Sequence, residues 1–103
     1  MEAGVHDAVR IEVLGHLRAE RRGVEVGLGG PKQQSVLAVL VAHAPGVLSA
    51  DEIAMAIYGD EVPDRGRRRV QTYVSTLRSI LGDVIVRSDR GWCIDLELSL
   101  IHI

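Results

Sequence analysis

Several residue types that usually build cores, staples and metal sites are scarce in this sequence. It has no Phe, one Trp and two Tyr, so a core has to be assembled from Val, Leu, Ile and Ala. A single cysteine, Cys93, excludes an internal disulfide and a cysteine-based zinc site. The histidines His6, His16, His43 and His102 are scattered without ligand spacing, so neither a metal nor a cofactor is expected. No signal peptide opens the chain. The longest apolar run, residues 36–42, is far too short to cross a bilayer. A reduced, cytoplasmic setting without a membrane partner is the default expectation. No Ser/His/Asp arrangement suggests catalysis. The run Gly27-Leu28-Gly29-Gly30-Pro31-Lys32 is glycine-rich but lacks the phosphate-loop pattern, so no enzyme is expected.

What is present fits one domain: 103 residues, 47% of them hydrophobic, with room for a single core. The formal charge of −2 argues weakly against a polyanionic partner, but its distribution argues the other way. Residues 1–64 carry five basic and ten acidic side chains, whereas residues 65–92 carry seven arginines and two aspartates, Asp83 and Asp89. Screening over about 8–10 Å lets a basic face act locally on a neutral or acidic molecule.

Alternating β-branched residues predict a strand over Val9–Leu14, followed by short strands at 17–20 and 24–28 around an Arg21-Arg22-Gly23 turn. Pro31 suits the first turn of a helix that ends near Ala44-Pro45-Gly46. A brief strand at Val47-Leu48 precedes Ser49, which with Glu52 reads as a capping box for the second helix. Tyr58-Gly59-Asp60 stops that helix, and Glu61-Val62-Pro63-Asp64 forms an acidic loop. A third helix follows to Leu81, with Gly82 as its C-cap. Segments 84–87 and 92–96 flank the turn Ser88-Asp89-Arg90-Gly91 and make a hairpin. Together these predict an α+β fold: a winged helix-turn-helix with an N-terminal antiparallel sheet, three helices and a C-terminal β-hairpin wing. The domain spans residues 9–96, between an N-terminal tail (1–8) and a C-terminal tail (97–103).

The third helix carries the functional signal. Val70, Val74, Leu77 and Leu81 form one apolar stripe at helical spacing. The other face carries hydrogen-bonding groups of modest size and no acid, entered through a cluster of arginines. Such a face suits a DNA major groove. Arg67, Arg68 and Arg69 are the candidate phosphate contacts; the bland alternative is a solvated charge run paired with Asp60, Glu61 and Asp64. Gln71, Thr72, Ser75, Thr76 and Arg78 are the groove-facing candidates, with Thr72 and Ser75 nearest the centre. An ordinary polar helix face is the alternative. Tyr73 borders the stripe and reads as half-buried, its hydroxyl reaching toward a phosphate. Arg87 and Arg90 lie on the wing, within reach of DNA backbone or minor groove, unless they serve only solubility. Trp92 reads as core beneath the wing.

The chain resembles the OmpR-type winged-helix DNA-binding domain. More narrowly, it resembles the Streptomyces antibiotic regulatory protein family of transcriptional activators (the AfsR-like regulators). The resemblance rests on Gly30-Pro31-Lys32-Gln33-Gln34 leading into Leu37-Ala38-Val39-Leu40, and on Val47-Leu48-Ser49 and Ile57-Tyr58-Gly59-Asp60. It rests further on Gly91-Trp92-Cys93-Ile94-Asp95-Leu96 and, most specifically, on Val70-Gln71-Thr72-Tyr73-Val74-Ser75-Thr76-Leu77-Arg78. It implies a bacterial transcriptional regulator that binds double-stranded DNA sequence-specifically, its copies side by side on promoter direct repeats as a homodimer. It also implies contact with RNA polymerase through the loop at residues 59–66, where Asp60 and Glu61 are the candidates and a plain connector is the alternative. Two features depart from the family. Tyr58 stands where Trp is usual, and the helical-repeat activation domain that usually follows is not among these residues. The rival readings are a winged-helix protein-interaction module and a truncated regulator without activation function.

Overall fold

A computed structural model of the protein describes residues 8–14, 16–96 and 100–102. Three strands, β1 (Val9–Leu14), β2 (His16–Arg21) and β3 (Val24–Val26), lead into helices α1 (Pro31–Ala42), α2 (Ala50–Tyr58) and α3 (Gly66–Leu81). A single 3-10 turn, Gly82–Val84, connects α3 to a hairpin of β4 (Ile85–Ser88) and β5 (Gly91–Ile94). A last short strand is β6 (Ile101–His102). This is the winged helix-turn-helix with an N-terminal sheet that the sequence pattern predicts.

The first sheet has the order β3-β2-β1-β6. β1 and β2 pair antiparallel over their whole length, from Val9 opposite Arg21 to Leu14 opposite His16. The alternation in β1 then has a direct consequence: Val9 and Ile11 are fully buried, while Arg10 faces solvent. β6 runs parallel to β1, with Ile11 opposite Ile101. Two residues of the expected C-terminal tail therefore extend the sheet and cover the open edge of β1. Residues 1–7, 97–99 and 103 of the two expected tails lie outside the described residues.

The core is aliphatic, as the lack of aromatics requires. α1 contributes Val36, Leu37, Leu40 and Val41; α2 contributes Ala50, Ile53 and Ala54; α3 contributes Val70, Val74, Leu77 and Leu81. The hairpin closes it with Ile85, Trp92 and Ile94. Each fully buried Val, Leu or Ile stabilises the fold by roughly 1.5–3 kcal/mol before chain entropy is subtracted.

The brief strand expected at Val47-Leu48 is reduced to one antiparallel bridge. Leu48 N–H donates to the Trp92 carbonyl at 2.8 Å, and Trp92 N–H donates to the Leu48 carbonyl at 2.9 Å. This bridge fastens the wing to the start of α2. It also explains Gly91, whose φ of 157° and close approach leave no room for a Cβ against the Leu48 carbonyl.

Candidate nucleic-acid interface

α3 is held from below and bare above. Val70, Val74, Leu77 and Leu81 are at most 1% exposed, so the apolar stripe is fully seated. The other face presents Arg68, Thr72, Ser75, Thr76 and Ser79, all exposed, with Gln71 and Arg78 on the flank toward the wing. Arg65, Arg67 and Arg69 are exposed as well. Two hydroxyls fold back onto the helix. Thr72 Oγ1 donates to the Arg68 carbonyl at 3.2 Å, and Ser79 Oγ donates to the Ser75 carbonyl at 3.3 Å. Their protons are thus committed, while their oxygens and the Thr72 methyl remain available outward.

The N-terminus of α3 has no side-chain cap and no acid in its first turn. Its N-cap residue is Arg65, and the Gly66 N–H is satisfied by the Pro63 carbonyl at 2.8 Å. A hollow of about 400 Å³ lined by Asp64, Arg65, Arg67, Arg68 and Gln71 opens there. Of the arginines around it, Arg67 approaches a carboxylate, but not one from the preceding loop. Its Nε lies 3.9 Å from Asp51 Oδ1 in the first turn of α2, with both side chains about 70% exposed. An exposed pair of this length is worth at most about 1 kcal/mol and leaves the guanidinium open to an outside anion.

A groove of about 600 Å³ runs between α3 and the wing. Gln71, Ser75, Arg78 and Ser79 line one wall, Arg87 and Trp92 the other, and Gly82 and Asp83 its end. Gly82, with φ of 79°, ends α3 and turns the chain toward the wing. The structure thus brings Gln71, Ser75, Arg78 and Arg87 together around one cleft. Arg90 stands in the hairpin turn instead. It is exposed, and adds to the lowering of the Glu52 carboxyl that hydrogen bonding from the Ser49 backbone and hydroxyl chiefly causes.

Tyr73 lies on the opposite flank, half-buried, beside Tyr58 of α2. Burial, with the neighbouring Tyr58 phenol, raises the Tyr73 hydroxyl above the usual tyrosine range. The Tyr58 hydroxyl is itself buried beside the Tyr73 side chain, without a hydrogen bond of good geometry among the described residues. The Tyr58 ring carries Lys32 Nζ 4.8 Å above its centre. Asp60 and Glu61 are exposed in the connecting loop, and Val62 is 40% and Met55 of α2 65% exposed nearby in sequence.

Three participants escape a reading of the sequence. Arg21, expected as a turn residue, ends β2 and donates from Nη1 to the Ile80 carbonyl at 3.0 Å. It places a positive charge at the negative end of α3. Asp51 meets Arg67, and Asp83 sits in the groove. All three depend on contacts across elements, for which no local spacing is a signal. Among the described residues, no group of three or more His, Cys, Asp or Glu is placed to hold a metal ion. No described helix is long and apolar enough to cross a membrane.

The family model described as "Transcriptional regulatory protein, C terminal" matches residues 24–92. The chain belongs to that family. Transcriptional regulatory protein MoaR1 of Mycobacterium tuberculosis is 41% identical over 88 residues, covering 85% of this chain and 28% of MoaR1. Regulatory protein AfsR of Streptomyces griseus is 34% identical over 98 residues, covering 94% of this chain and 10% of AfsR. A solved structure of M. tuberculosis EmbR in complex with a low-affinity phosphopeptide superposes with a TM-score of 0.84 at 27% identity, over 91% of this chain and 27% of EmbR. These relatives bear out the resemblance to the OmpR-type domain of the Streptomyces antibiotic regulatory protein group. The chain spans less than a third of the length of each of these relatives.

Proposed function

We propose that this domain binds double-stranded DNA sequence-specifically and serves as the DNA-reading part of a bacterial transcriptional regulator. The observation that carries the reading is the two-sidedness of α3: a stripe at most 1% exposed on one side, and on the other an acid-free face with solvent-open arginines at an uncapped N-terminus. Positive side chains at that end oppose the helix dipole by about 0.3–1 kcal/mol each, a cost that an incoming phosphate reverses.

In this reading α3 enters the major groove. Arg67, Arg68 and Arg69, with the free N–H groups of the first turn, hold phosphates and set the register. Thr72 and Ser75, flanked by Gln71, Thr76 and Arg78, face base edges. A Gln pairs with adenine, an Arg with guanine, and a Thr methyl with the thymine methyl. The groove between α3 and wing takes one sugar–phosphate strand, with Arg87 on the backbone and Arg90 toward the minor groove. Tyr73 reaches a phosphate from the opposite flank. Two copies sit side by side on promoter direct repeats. The exposed Asp60 and Glu61 of the loop between α2 and α3 face RNA polymerase.

Selection of bound fragments from random duplexes with the purified chain tests this. The expected result is an enriched motif, with Gln71→Ala or Thr72→Ala shifting the preference among sites. Recovery of no motif overturns sequence-specific binding. A uniform loss across sites assigns that face to positioning alone.

A further inference from the structure

The groove between α3 and the wing contains a charge of the wrong sign for its proposed ligand. Asp83 is exposed in the 3-10 turn and lines the same cleft as Arg78 and Arg87. Asp51, at the other end of the basic face, has an arginine within 4 Å, whereas no ion pair engages Asp83 among the described residues. Its carboxylate is therefore left to act on whatever enters the groove. A partnered acid would have its field cancelled at short range; an unpartnered one keeps it over a screening length of about 8 Å.

Resting on the DNA reading above, we propose that Asp83 is a specificity-determining residue that penalises loosely seated DNA. Any duplex gives Arg78 and Arg87 phosphates to contact, and this attraction alone is blind to sequence. Asp83 repels a strand that slides along the groove, because phosphates then pass close to the carboxylate. When base contacts on α3 fix the register, the strand is held with its phosphates on the two guanidiniums and straddles Asp83. The repulsion falls mostly on the unspecific complex, and discrimination is the difference between the two.

The test compares Asp83→Asn with wild type on a selected duplex and on a random-sequence duplex, by fluorescence anisotropy at fixed salt. Glu12→Gln, on the four-stranded sheet and outside the groove, makes the same change in net charge and is the control. Thermal melts establish that each variant is folded. The expected result is a random-duplex affinity about three- to tenfold higher in Asp83→Asn, with a smaller gain on the selected duplex and no change in their ratio for Glu12→Gln. Equal gains on both duplexes, or no gain, overturn the proposal and leave the DNA reading standing. Loss of the selected duplex alone also overturns it, since Asp83 would then be a direct reader accepting from a cytosine amine. A wild type that does not distinguish the two duplexes removes the DNA reading and this proposal together.

Discussion

Helices α2 and α3 both begin with backbone N–H groups that lack partners inside the helix, and they treat them in opposite ways. At the start of α2, Glu52 N–H donates to Ser49 Oγ at 3.1 Å, and Ser49 N–H donates to Glu52 Oε1 at 2.9 Å. Asp51 and Glu52 complement the dipole in that first turn. At the start of α3 there is no cap, no acid, and a run of arginines. The two termini are neighbours, joined by the long Arg67–Asp51 pair, so a common environment does not explain the contrast. One end is built for folding; the other forgoes that stability and, in the proposed reading, keeps its charge and the N–H groups beyond Gly66 for an anion. A chain indifferent to anions would have no use for the second design.

The sharpest way to break the comparison is to give α3 the chemistry of α2. Arg68→Glu places an acid at the position that Glu52 occupies in α2. Helix stability should rise by a few tenths of a kcal/mol, about the size of a dipole interaction. Affinity for any duplex should fall by about tenfold or more near 0.15 M salt, as one attractive charge becomes repulsive, a net change of two units. A melt and a mobility-shift titration read both effects. The reverse change, Ser49→Ala, should cost about 1 kcal/mol of stability in a denaturant titration and leave DNA affinity within about twofold.

Next in size is the buried Tyr58 hydroxyl. Tyr58→Phe removes a buried polar atom that has no hydrogen bond of good geometry and should leave stability equal or raise it by up to about 1 kcal/mol in the same titration. A clear loss would mean that the hydroxyl is satisfied in solution.

The capping box also sets a pH signature. Backbone hydrogen bonding from Ser49, then its hydroxyl, lowers the Glu52 carboxyl below its usual range. A depressed folded value means that the stabilisation is present above the unfolded value near pH 4.3 and is lost as pH falls through the lower, folded one. Glu52→Gln should therefore flatten the acid limb of stability against pH below about pH 4.5. The smallest effect belongs to Asp51→Asn, which frees Arg67 from an exposed partner and should raise DNA affinity by less than about threefold.

The sequence is most transparent where structure is local. The Val70, Val74, Leu77, Leu81 stripe, the Ser49–Glu52 box and the β1–β2 hairpin each announce themselves within a few residues, through period, cap chemistry or alternation. What stays hidden is non-local. β6 has two residues, too few to show a period, and its partner β1 lies some ninety residues away in the chain. Arg21 in a basic turn looks like any solvated arginine until the fold carries the α3 C-terminus to it. The same holds for the site. The arginines and polar face of α3 are readable from composition and phase, whereas Asp51 beside Arg67 and Asp83 in the groove appear only once α2 and the wing are packed.

The central claim is that the open, arginine-rich end of α3 exists to hold phosphates. Its most direct test is the dependence of duplex affinity on salt for wild type and for Arg68→Ala/Arg69→Ala. The double variant should melt at the wild-type temperature or slightly above, bind all duplexes more weakly, and show a log–log salt slope shallower by about two. A folded variant with unchanged affinity and slope would contradict the account.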